Sequence, residues 1–232
     1  MQVDGAFAAS YVAGISVANM GGRLGWAAAS DKIGRRNAYL AFGAVGIPAC
    51  LMIPQLTAAV SMSPDPSHLW GFCAASCAAI SCYGGLLGIL PAYISDTFGI
   101  KNTPSIFGRL MTGWAAAALI GPSLLTYLRA TSYDEAVTDL SSKVDPAAFE
   151  LKFGSGVENL SALVDAKAVT IPALMQIAPG GTIDPTCAIY DTSMYTMACA
   201  LGGAFVCNYL VKPVDAKYLV VDKKDNNDQP QA

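Results

Sequence analysis

The chain has 232 residues, of which 53% are hydrophobic and only 13% charged, with a formal net charge of -3. Soluble globular domains carry roughly 25% charged residues, so this composition excludes an ordinary water-soluble fold. No stripe of Lys and Arg marks a nucleic-acid surface, and a net charge this small says little about partners.

The few charges are bunched. Uncharged runs of 18, 28, 30, 19 and 20 residues separate Asp4 from Arg23, Arg36 from Asp65, Asp65 from Asp96, Arg109 from Arg129 and Asp191 from Lys212. A helical membrane span needs about 17–25 mostly apolar residues. Buried helices of soluble proteins seldom stay apolar all round for so long. The pattern predicts five spans, at 5–30, 38–60, 68–95, 105–128 and 192–211. The fold class expected is an all-α, multi-pass integral membrane protein in contact with the lipid bilayer. No signal peptide is expected, because the first apolar run begins close to Met1 without a basic flank or a clear cleavage site.

The connections set the orientation. The turn after span one holds Lys32, Arg35 and Arg36, whereas the turn at 61–68 holds Asp65 and no Lys or Arg. The turn at 96–104 holds Lys101, with Arg109 just inside span four, and the tail 212–232 holds Lys212, Lys217, Lys223 and Lys224. Basic short loops stay cytoplasmic, which puts the N-terminus outside and the tail inside. The segment 129–191 then falls on the non-cytoplasmic side. It is acidic on balance, with nine Asp/Glu against four Lys/Arg, and contains one glycosylation sequon, Asn159-Leu160-Ser161. Short helices fit 145–152 and 157–168. Pro172, Pro179-Gly180-Gly181 and Pro185 argue against one continuous element. A connection this long is functional or disordered.

Chemistry-bearing groups are sparse. No nucleophile–base pair or paired carboxylates lie in the spans, so no enzyme activity is expected. Cys73 and Cys77 are helical neighbours, but no histidine stands near them; the seven cysteines read as packing residues, with no metal and no cofactor expected. The single histidine, His68, starts span three at its outer edge and fits an interfacial role or proton coupling.

The segment Asp31-Lys32-Ile33-Gly34-Arg35-Arg36 resembles the D-[RK]-x-G-R-R core of the major facilitator superfamily signature, with Ala27 where that signature usually has Gly. Tyr83-Gly84-Gly85, Pro91-Ala92-Tyr93, Asp96-Thr97-Phe98-Gly99-Ile100-Lys101-Asn102, Phe107-Gly108, Trp114 and Gly121-Pro122 resemble its oxalate/formate antiporter branch, which includes monocarboxylate-transporter-like carriers. The likeness covers about 5–128 and span five, and leaves out 129–191. It implies that the five spans correspond to the last five of twelve helices, so that the chain is similar to a carrier's C-terminal half without its first helix. The function implied is alternating-access transport of a small organic anion such as a monocarboxylate. The missing N-terminal half, or another subunit, would be a necessary partner.

The resemblance assigns gating roles to Asp31, Lys32, Gly34, Arg35 and Arg36: the acid faces a helix N-terminus of the opposite half, and the bases complete a charge network that holds one face shut. The bases alone also fit a role as topology determinants. Spans one, three and four are expected to line the pathway, with Asn19, Tyr83, Gly84, Thr112 and Trp114 as candidate lining residues. The glycines and Pro91 of span three suit either gating or close helix packing. Arg23 and Arg109 lie near the cytoplasmic ends, away from the midplane position that a dianion would need. Two other readings stand beside the carrier: a membrane-anchored interaction or receptor-like protein that uses 129–191, and a non-functional truncated carrier.

Overall fold

The computed structural model describes residues 4–63, 65–212 and 214. All but the beginning of the basic tail expected at 212–232, including Lys217, Lys223 and Lys224, lies outside the described residues. Those residues fold into helices joined by turns, short 3-10 segments and one longer connection at 176–190: α1 (Gly5–Ile33), α2 (Arg35–Met62), α3 (Pro66–Phe98), α4 (Thr103–Lys143), α5 (Pro146–Phe153), α6 (Leu160–Asp165), α7 (Ile171–Met175) and α8 (Asp191–Leu210).

Local chemistry sets the breaks. Asp65 caps α3 by accepting the Ser67 N–H at 2.9 Å, with Pro66 at the first helical position, where its missing N–H costs nothing. Gly34 ends α1 at φ +88°, and Gly99 ends α3 at φ +84°. Both conformations are open to glycine and strained for any residue with a Cβ.

Among the described residues, three segments are long and apolar enough to cross a membrane: Arg35–Met62, Pro66–Phe98 and Ile100–Lys143. Helices α1 and α8, at 29 and 20 residues, are long enough. Their glycine, serine, asparagine and tyrosine content dilutes them below the same apolarity. Among the described residues, three of the five expected spans thus meet both criteria.

Helix α3 is the centre of the bundle. It packs along α1 on one side and α2 on another, α8 packs on α2, and α4 touches α3 and α8 only sparsely. Phe42, Cys82, Ile89 and Ala38 form the bundle core, flanked by Trp26, Tyr39 and Tyr93. Glycines bring α1 and α3 into backbone contact. A Cβ on Gly84 would collide with the Asn19 carbonyl, one on Gly22 with the Ser81 carbonyl, and one on Gly85 would lie 2.7 Å from the Trp26 side chain. Small residues permit this approach where dispersion and close packing, rather than a hydrophobic drive, hold helices together.

The segment expected to leave the bundle at 129 instead begins as helix. Helix α4 continues through Leu128 to Lys143, because no Gly or Pro interrupts it between Pro122 and Pro146. Beyond the span the pattern changes to one apolar stripe: Tyr133, Val137, Leu140 and Val144 recur at helical spacing. Together with Phe149, Val169, Ile171, Leu174 and Ile189 they enclose a second hydrophobic core, separate from that of the bundle. We call residues 129–190 the cap.

Candidate functional site

The ends of α1 and α3, the start of α2 and the end of α8 meet at one end of the bundle. Gly34 makes this geometry possible. Its N–H donates to the Ser30 carbonyl (3.0 Å), and its own carbonyl accepts from the Ala38 N–H (3.0 Å), so α1 and α2 are separated by a single residue. This sharp turn places Arg35 back against the last turn of α1. There its guanidinium pairs with Asp31, donates to the Ser30 hydroxyl and reaches the Ala27 carbonyl at 3.4 Å. On the other side, Arg35 Nε lies 3.5 Å from Asp96 Oδ2, at the end of α3. One arginine thus bridges two carboxylates from different helices. The arginine side chain is 22% exposed, whereas those of Asp31 and Asp96 are 62% and 63% exposed. Both carboxylates therefore stay largely open to further partners.

Arg36 does something different. It donates to the Tyr209 carbonyl at 2.5 Å and stands 5.6 Å from the centre of the Tyr209 ring. Asn208 donates to the Arg36 carbonyl at 3.3 Å and accepts from the Tyr93 hydroxyl at 2.8 Å. Arg36 and its neighbours therefore tie α2, α3 and α8 together. Lys32 is exposed in the last turn of α1. Between these groups lies a cavity of about 130 Å³, lined by Arg35, Arg36, Tyr93, Asp96, Thr97 and Val211.

The pathway candidates fall into two contacts and one bystander. Asn19 and Gly84 meet across the α1–α3 seam, backbone against backbone. The rings of Tyr83 and Trp114 approach to 6.3 Å between α3 and α4. The Thr112 hydroxyl donates to the Arg109 carbonyl one turn back (2.7 Å) and stays on its own helix. Among the described residues, no group of three or more His, Cys, Asp or Glu is placed to hold a metal ion.

Asp96 was not singled out from the sequence, although a signal was present. Ser30-Asp31-Lys32-Ile33-Gly34-Arg35-Arg36-Asn37 and Ser95-Asp96-Thr97-Phe98-Gly99-Ile100-Lys101-Asn102 share the pattern Ser-Asp-x-apolar-Gly-x-base-Asn. The two turns also share their geometry. Gly99 donates to the Ser95 carbonyl at 2.9 Å as Gly34 does to Ser30. Asn37 and Asn102 each donate to the carbonyl four residues back, Ile33 and Phe98, at 2.8 and 3.3 Å. The difference lies at the residue after the glycine, where Arg35 serves both acids and Ile100 is exposed. Tyr93, Asn208 and Tyr209 had no local signal, since their roles exist only once α8 is docked.

Over 120 residues, half of this chain, the sequence is 30% identical to the uncharacterized MFS-type transporter YhjX of Escherichia coli (strain K12). It is similar to a major facilitator-type transporter. The matched stretch spans 27% of that protein's length. No family model matches the chain, and no solved structure matches it. The similarity bears on the superfamily as a whole and does not separate its branches.

Proposed function

We propose that this chain forms the C-terminal part of a major facilitator carrier. It would cross the membrane five times, through α1 to α4 and α8, and move a small organic anion such as a monocarboxylate by alternating access. The observation that carries the reading is the double carboxylate clasp. Asp31 and Asp96, on equivalent turns of the two helix pairs, share Arg35 at one end of the bundle and leave their outer faces open. A carboxylate so placed is suited to meet the positive end of a helix from a second half. Making and breaking that contact would bias the inward and outward states.

Two further observations support the reading. The similarity to an MFS-type transporter covers half of the chain. No residue of α4 between 103 and 128 is buried, which leaves a whole apolar helix ready to face lipid and a second half. A monoanion suits the chain better than a dianion because Arg23 and Arg109 are both exposed and lie toward the end of the bundle that holds the clasp.

The test is reconstitution in liposomes. The chain alone should be silent, since it supplies one wall of a two-walled cavity. Together with a complementing N-terminal half it should exchange a labelled monocarboxylate and discriminate against a dicarboxylate. Robust uptake by the chain alone would defeat the half-carrier reading. The self-contained core of the cap favours a second, compatible role, in which the cap binds a partner outside the membrane. Removing residues 144–190 should then abolish partner capture and leave exchange intact.

A further inference from the structure

We infer that Asn159 is a covalent glycan acceptor. The inference rests on the proposed non-cytoplasmic placement of the cap. Of seven asparagines in the chain, only Asn159 begins an Asn-x-Ser/Thr triplet, with Leu160 and Ser161 completing it. It falls within the one long connection between spans. Asn159 stands 31 residues after position 128 and 33 before position 192. In the nascent, still unfolded chain, at about 3.3–3.6 Å per extended residue, either arm reaches well clear of the bilayer to a membrane-bound transferase.

The folded cap also leaves room for the product. Val157, Leu160, Leu163 and Val164 turn inward and pack on the cap core. Asn159 and Ser161 lie between them on the exposed side. The Asn159 amide donates one N–H to the Ser155 hydroxyl at 3.0 Å. A glycosylated amide retains one N–H, so a donor for the Ser155 hydroxyl remains. The reaction transfers an oligosaccharide from a polyprenyl diphosphate donor. Asn159 Nδ2 attacks C1 of the first sugar, and the C1–N bond forms. The C1–O bond to the diphosphate breaks, the diphosphate leaves with the electron pair, and one amide proton passes to a base of the transferase. The bulky, hydrated product would shield the outer face of the cap.

The experiment expresses the full chain in a eukaryotic host and digests its membranes with an N-glycosidase. Wild type should drop in apparent mass by one glycan. Asn159→Gln and Ser161→Ala should already run at the lower position and show no drop, and Ser161→Thr should behave as wild type. A second acceptor keeps the outcomes distinct. Ala168→Asn places an asparagine two residues before Thr170 at an exposed site of the cap. Combined with Asn159→Gln, it should restore the drop. If wild type is unmodified while that double variant shifts, the Asn159 proposal falls and the placement of the cap stands. If neither shifts, the placement falls and the proposal with it. A drop that persists in Asn159→Gln alone also overturns the proposal.

Discussion

Helix α4 changes character along its length, with one stretch that buries nothing and one that buries an apolar stripe. Within 103–128 nothing is buried: Leu119 is 76% exposed and Ile120 is 63% exposed. Further along the same helix, Val137 and Leu140 are 0% and 1% exposed. The first stretch turns apolar side chains outward in every direction. The second gathers them on one stripe and leaves Asp134, Glu135 and Asp139 on the outside. An apolar surface with no cover is stable where the solvent is hydrocarbon, and an amphipathic one where the solvent is water. The change from one pattern to the other falls near Leu128 and Arg129.

The largest effect should come from the cap. Phe149 is fully buried in the cap core, and deleting such a ring costs about 3–5 kcal/mol. Phe149→Ala should therefore raise hydrogen exchange across 129–190 and leave α1–α3 protected. Equal loss of protection in both regions would mean that the cap and the bundle share one core, and the comparison would break.

Within the bundle, the position of a glycine should decide its tolerance. Gly84→Ala forces a methyl onto the Asn19 carbonyl across the α1–α3 seam, an overpacking that costs about 1–3 kcal/mol. Gly113→Ala meets nothing within 4 Å and should gain up to about 1 kcal/mol of helix propensity. Thermal unfolding in detergent should lower Tm for the first and hold or raise it for the second. Matching Tm values would remove the seam.

Asp31→Asn should separate folding from transport. The carboxylate is 62% exposed, and exposed ion pairs contribute about 0–1 kcal/mol, so Tm should barely move. In a complete carrier, losing the charge at a helix N-terminus is worth up to about 2 kcal/mol, enough to slow exchange roughly tenfold or more. Substrate affinity should stay near wild type, because Asp31 lies at the end of the bundle. Wild-type exchange by a normally expressed Asp31→Asn protein would leave Asp31 as a determinant of topology alone.

The smallest effect should be at the opposite turn. The backbone N–H of Ser67, helped by the Ser67 side chain and by His68, holds the Asp65 carboxyl below the usual carboxylate range. A depressed acid stabilises the folded state above its unfolded pKa of about 3.9, and that contribution disappears as pH falls through the lower folded value. Asp65→Asn keeps a capping side chain and removes the charge. Its Tm deficit should therefore be slight at neutral pH and vanish at the acid end of a pH series. A deficit independent of pH would show that the cap geometry, and not the charge, matters there.

The sequence by itself determined the uncharged runs, the glycine breaks at Gly34 and Gly99, and the short turn that holds Asp31, Arg35 and Arg36. These depend on local rules: charge is expelled from apolar runs, and only glycine readily adopts a positive φ. Short helices expected at 145–152 and 157–168 correspond to α5 (Pro146–Phe153) and, over part of the second range, to α6 (Leu160–Asp165). Tertiary structure decided which partners those residues meet. Arg35 and Arg36 are neighbours of the same type, yet one clasps two carboxylates and the other pins α8 through Tyr209. The assignment depends on where α3 and α8 lie, 60 and more than 170 residues away along the chain. The extension of α4 into the cap is supported by the cap core, where Tyr133, Val137 and Leu140 pack with Phe149, Ile171 and Leu174. Local propensity fixes where a helix can begin and end, whereas burial and ion pairing depend on surfaces that exist only after distant segments have met.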